Sequence, residues 1–194
     1  GACGIVVPES YGGAGLDYVS LAVALEEIAA GDGATSTVIS VQNSVVCGPI
    51  LAFGSAAQKD RYLKPLAMGE SIGCFCLTEP HTGSDAAAIA TRAQFASGDD
   101  GGHYVLNGTK QFITSGKNAD VAIVFALTDK AAGKKGMSAF IVDTDSPGYD
   151  ATRIEDKLGQ RASDTAQIVF TDCRVPAANL LGRVQMFSDA FAGM

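Results

Sequence analysis

Two short stretches carry residue types able to hold a polar, planar ligand. The first runs from Gly73 to Asp85, Gly-Cys-Phe-Cys-Leu-Thr-Glu-Pro-His-Thr-Gly-Ser-Asp. It reads as an apolar strand over 73–78 that stops at Pro80, which lacks a donor and pushes Glu79 towards extended backbone. His81, Thr82, Gly83 and Ser84 then offer backbone N–H groups and hydroxyls in a turn that can cradle a phosphate or pyrophosphate, with Gly83 permitting close approach. The second stretch, Asn107 to Gly116, reads as a tight Asn-Gly turn followed by a strand over 111–114. Residues at i and i+2 share a sheet face. Phe112 and Thr114 are therefore expected to present a flat ring and a hydroxyl to one surface, a pairing that suits a heteroaromatic cofactor. An ordinary strand-to-loop transition gives the same pattern, and Phe75, Leu77 and Phe112 read equally well as core residues.

Leu77-Thr78-Glu79-Pro80 with Gly83-Ser84-Asp85 closely resembles the first signature of the acyl-CoA dehydrogenases. Asn107-Gly108-Thr109-Lys110 with Phe112-Ile113-Thr114 resembles the flavin-contacting strand of the same family. Lys157 to Thr165, then Val169-Phe170 and Val175-Pro176, resembles the segment that closes its β-domain. The resemblance implies FAD as cofactor, an acyl-CoA thioester as substrate and α,β-dehydrogenation as reaction, with an electron-transfer flavoprotein taking the electrons. It gives Phe75, Leu77, Thr78, Gly83, Ile113 and Thr114 flavin-lining positions, with Thr114 near N5. Ser84 falls between the FAD pyrophosphate and the thioester. Phe112 stands where the family often has tryptophan, a smaller wall without the indole N–H. The helix around 36–45 is implied to line the acyl slot through Thr37, Val38, Val41 and Val45. Lys134 and Lys135 read as a solvated turn, with contact from Lys134 to the CoA 3′-phosphate as the alternative. No catalytic residue is expected within this stretch, because the family takes its glutamate from a following four-helix domain. That domain also builds the dimer-of-dimers interfaces. A flavin or acyl-CoA binding module without catalysis, or an oxidase of the same fold, would share these motifs.

The positioning elements follow from pattern and composition. A chain of 194 residues with 47% hydrophobic content can bury a real core. The fold class expected is α+β: a partial N-terminal helical domain over 1–70, an antiparallel β-barrel or sandwich over 71–182, and the start of a truncated helical domain over 183–194. Leu21, Leu25 and Ile28 predict a helix over 17–30. A charge-free run after Asp32 predicts two buried helices parted at Gly48-Pro49 rather than a membrane span. Ser55 is expected to cap a helix through Met68. Short β-like runs are expected at 73–78, 91–96, 103–107, 111–114, 121–128, 137–143 and 167–170.

The remaining polar residues read as structural. Glu79 beside Pro80 and Asp85 in its loop are expected to fix backbone, and Arg161 and Asp164 to brace the sheet. His81 and His103 read as surface or turn residues. A net charge of −7 argues against nucleic acid and anionic membrane surfaces. The five cysteines show no metal spacing. Cys74 and Cys76 should share one strand face as buried thiols, which fits a reducing compartment, bacterial cytoplasm or mitochondrial matrix, rather than secretion.

Overall fold

Two aspartates set the first helices. Asp17 accepts the backbone N–H of Ser20 at 2.8 Å and starts α1 (Tyr18–Gly31). Asp32 closes α1 and accepts from the N–H groups of Ala34 and Thr35 at 3.2 and 3.0 Å, so one side chain ends a helix and caps the next. The computed structural model describes residues 1–98 and 101–182. The helical spacing read at 183–194, and part of the turn at 97–102, lie outside the described residues.

The expected break at Gly48-Pro49 does not occur. One helix, α2, runs through Gly33–Phe53. Its middle turn, Gln42–Cys47, is π-helical, and this wider turn delivers the chain to Pro49 without the i→i−4 bond that proline cannot make. By length and composition α2 could cross a membrane, but its polar groups are engaged inside the protein. Gln42 Nε2 donates to Leu66 O at 2.9 Å and Ser71 O at 3.0 Å, and Asn43 Nδ2 donates to Ala2 O at 2.8 Å. The third helix, α3, covers 56–68 and opens on the expected Ser55 cap, completed by Gln58 as a reciprocal capping box.

Eight strands form one sheet: β1 (Gly73–Cys76), β2 (Arg92–Ala96), β3 (His103–Thr114), β4 (Val121–Leu127), β5 (Met137–Asp143), β6 (Tyr149–Ile154), β7 (Thr165–Pro176) and β8 (Leu180–Leu181). The order is β6-β7-β3-β2-β4-β5-β8, with β1 beside β4. Most pairs are antiparallel, but β1 runs parallel to β4, so the sheet is mixed. The Asn107-Gly108 turn is a second correction, because β3 passes straight through it with only a bulge opposite β7. Glycine is required there for close approach: a Cβ on Gly108 would lie 2.4 Å from Thr91 Oγ1.

The core has two layers because β4 and β5 are buried on both faces. Val121, Ile123 and Phe125 pack towards the helices with Val46, Ile50, Leu63 and Leu66. Ala122, Val124 and Ala126 face a second cluster with Leu106, Ile113, Phe140 and Ile168. Cys74 and Cys76 lie on this second side, fully buried, with their sulfurs 3.8 Å apart, and all five cysteines are free thiols.

Candidate functional site

Where α2 crosses β1, a pocket of about 220 Å³ opens between helix and sheet. Its walls are Val41 and Val45 of α2, Phe75, Leu77 and Thr78 in and after β1, and Phe112, Ile113 and Thr114 at the end of β3. Gly73 lets the helix sit this low: a Cβ there would lie 2.2 Å from Val46 Cγ1. Its N–H donates to Gln42 Oε1 at 2.9 Å, tying strand to helix at the crossing. Phe75 is held edge-on against Phe125, ring centroids 5.0 Å apart.

Past β1, three hydrogen bonds stitch the first motif to the second. Lys110 Nζ donates to Leu77 O at 3.1 Å, the Gln111 N–H to Thr78 O at 2.8 Å, and Lys110 Nζ again to Glu79 Oε1 at 2.8 Å. Glu79 also accepts from the N–H groups of Ala90 at 2.6 Å and Thr91 at 3.0 Å. The side chains of Lys110 and Glu79 are 0% and 2% exposed, so this is a buried ion pair. Burial alone would raise the Glu79 carboxyl. The Lys110 ammonium and the hydrogen bonds from Lys110, Thr91 and Ala90 outweigh it and hold the carboxyl below its ordinary value. Glu79 is thus the fixing group expected beside Pro80.

Phe112 reaches the pocket by a route that strand alternation does not give. Lys110 pairs with Ile168 and Ile113 with Ala166, so Gln111 and Phe112 together stand opposite Gln167 in a β-bulge. Gln167 Nε2 donates to Gln111 Oε1 at 2.6 Å, and Gln111 Nε2 to Glu155 Oε1 at 2.9 Å, pinning the bulge. Phe112 adopts φ 58° and leaves its side chain exposed, at 62% for the residue. A non-glycine residue in this region costs on the order of 1–3 kcal/mol, and such strain persists where the surroundings impose it.

The other candidate residues lie around this centre. Gly83 and Ser84 sit exposed on the loop beyond a Glu79–Thr82 bridge. A Cβ on Gly83 would make only ordinary contact with Thr78 Cγ2 at 3.8 Å, so nothing in the chain itself demands glycine there. Thr37 and Val38 are not among the residues lining the pocket; the Thr37 hydroxyl lies within hydrogen-bonding distance of two acceptors, Gly33 O at 3.0 Å and Gln160 Oε1 at 2.9 Å. The Lys134 side chain lies outside the described residues. Asp164 braces the sheet by accepting from Lys117 N at 2.9 Å and Asn118 Nδ2 at 2.8 Å, while Arg161 pairs with Asp156 at 2.8 Å on the surface. His81 Nε2 lies 3.0 Å from Ala88 O. Among the described residues no cluster suits a metal ion.

Sequence reasoning gave Lys110 no role. The available signal was a lone lysine inside a strand run, 31 residues from a glutamate set between a threonine and a proline.

The arrangement fits a planar ligand with a polar edge. The pocket combines an exposed ring, apolar walls and two threonine hydroxyls, and the hydroxyls of Thr78, Ser84 and Thr114 have no hydrogen-bond partner among the described residues.

Comparison with known proteins agrees with this geometry. Residues 74–173 match the profile described as "Acyl-CoA dehydrogenase, middle domain", and residues 1–70 match "Acyl-CoA dehydrogenase, N-terminal domain". The mitochondrial short-chain specific acyl-CoA dehydrogenase of Rattus norvegicus is 49% identical over 180 residues, covering 93% of this chain and 43% of that protein. The structure of butyryl-CoA dehydrogenase from Megasphaera elsdenii superposes with a TM-score of 0.91 at 42% identity, covering 97% of this chain and 49% of that one. An acyl-CoA dehydrogenase from Bacillus anthracis, solved in complex with FAD, gives 0.87 at 39% identity, covering 100% of this chain and 32% of that one. The chain thus spans less than half the length of these relatives. With both profiles matched in order and Leu77, Thr78, Phe112, Ile113 and Thr114 of the two signature stretches gathered at one pocket, the chain belongs to the acyl-CoA dehydrogenase family.

Proposed function

We propose that this chain forms the flavin-facing and acyl-facing part of an FAD-dependent enzyme that converts short-chain acyl-CoA thioesters to trans-2-enoyl-CoA. The observation that carries the reading is the convergence of Phe112, Thr114, Thr78 and Val41 on one pocket from three separate elements. Bound there, FAD supplies the hydride acceptor that no side chain provides. Phe75, Leu77 and Phe112 wall the ring system, and Thr78 and Thr114 offer hydroxyls to its polar edge. Ser84, with Gly83 leaving room beside it, faces the pyrophosphate and thioester. Val41 and Val45 shape an apolar slot that excludes water from the reacting carbons. The electrons then pass to an electron-transfer flavoprotein, and the full-length protein assembles as a dimer of dimers in bacterial cytoplasm or mitochondrial matrix.

The test is anaerobic mixing of the full-length, FAD-loaded protein with butyryl-CoA, followed by the visible flavin band. Rapid bleaching supports the reading, and a band that stays unchanged with acyl-CoAs of every length overturns it.

Two substitutions refine it. Thr114→Val keeps shape and removes one hydrogen bond, a loss of ~0.5–1.5 kcal/mol. Single-turnover flavin reduction should slow by about 2- to 12-fold with the fold intact. Equal rates in variant and parent would take Thr114 out of the site. Val41→Phe fills the slot, so the ratio of kcat/KM for an eight-carbon over a four-carbon acyl-CoA should fall by roughly tenfold or more. An unaltered ratio removes Val41 from the slot.

A further inference from the structure

Thr37, Val41 and Val45 recur at i, i+4 and i+8 and so share one face of α2. Val41 and Val45 line the pocket, and Thr37 stands one turn, about 5.4 Å, nearer the helix start. At that turn a residue from the distant loop between β6 and β7 crosses over. Gln160 Oε1 lies 2.9 Å from Thr37 Oγ1, a contact between residues 123 apart in sequence. Gln160 Nε2 is 3.9 Å from the position that a Cβ on Gly33 would occupy, so the amide lies against the first turn of α2. The Gln160 backbone has φ 51°, and its carbonyl accepts the Ser163 N–H at 3.2 Å. Gln160 is itself exposed, so the contact with Thr37 is what ties this loop residue to α2.

We propose that Gln160 and Thr37 form the end wall of the acyl slot, with Gln160 setting the longest chain accepted. The inference rests on the function proposed above. A chain growing along Val45 and Val41 towards the start of α2 meets a paired amide and hydroxyl. An apolar tail can pass only by parting them, and it offers no hydrogen bond in return. Gln160 is therefore a specificity-determining residue contributed by a loop that is remote in sequence from α2.

The test uses full-length, FAD-loaded protein and non-reactive S-alkyl-CoA thioethers with four-carbon and eight-carbon chains, so that binding is read apart from turnover. In Gln160→Ala the eight-carbon thioether should gain at least tenfold in affinity relative to the four-carbon one. Thr37→Val, which keeps volume and removes the hydroxyl, should move the ratio the same way by less, and the double variant should match Gln160→Ala. A Gln160→Ala ratio within twofold of the parent overturns the end wall, as does an additive double variant. A parent protein that binds neither thioether overturns the proposed function and this inference with it.

Discussion

Lys110→Ala should lower the unfolding free energy by about 3–5 kcal/mol, the penalty for leaving one member of a buried ion pair without its partner. Glu79 cannot turn to water, because its carboxylate is tied to the N–H groups of Ala90 and Thr91 inside the fold. The substitution also strips a donor from Leu77 O and leaves only the Gln111 N–H to hold the first motif to the second. Urea unfolding of parent and variant checks this, and a loss below about 1 kcal/mol would show that the pair contributes no more than a surface bridge does. The pH dependence has a definite sign. The folded Glu79 carboxyl titrates below its unfolded value, which is about 4.3. Its contribution is therefore complete above that pH and is lost as pH falls through the folded value. Glu79→Gln should flatten that part of the stability profile.

The 194-residue chain by itself, mixed anaerobically with acyl-CoA, should leave added flavin oxidised. An α-proton beside a thioester needs a positioned base, and general-base catalysis is worth roughly 10²–10⁴-fold. No carboxylate of the described residues lines the pocket: Glu79 is locked to Lys110, and Asp85 lies on the exposed loop. FAD should also bind loosely, with one face of the pocket open. The exposed side chains of Leu16, Val19, Val23 and Leu158 favour self-association. Flavin content per chain and the visible band, read beside the full-length protein, decide the matter. Stoichiometric FAD with bleaching at an enzymatic rate would place the base within these residues.

Elements with strong local chemistry were legible from the residues. The cap at Ser55 and the strands β4 and β5 follow directly from side-chain type and apolar runs. Every residue that lines the pocket could be named beforehand, though that rested on resemblance to known motifs. Three features were hidden for physical reasons. β6 is an edge strand with most residues exposed, so it shows no alternation. Asn107-Gly108 carries a hairpin signal, yet its glycine answers to Thr91, a partner that only the folded chain supplies. The Phe112 bulge depends on counting residues against β7, which no local pattern contains.

The doubly buried β4 and β5 bear on how the molecule melts. Sequence profiles divide the chain between residues 70 and 74, but the cluster beneath the helices draws Val46, Ile50 and Leu66 from one side of that line and Ile123, Phe125 and Ile141 from the other. The helical segment owns no separate core, so it cannot detach without baring one face of the central strands. Profile boundaries and packing units therefore do not coincide here. Calorimetry should give a single endotherm whose van't Hoff and calorimetric enthalpies agree, and a cut placed at the profile boundary would leave the helical half without a core and bare one face of β4 and β5 in the other.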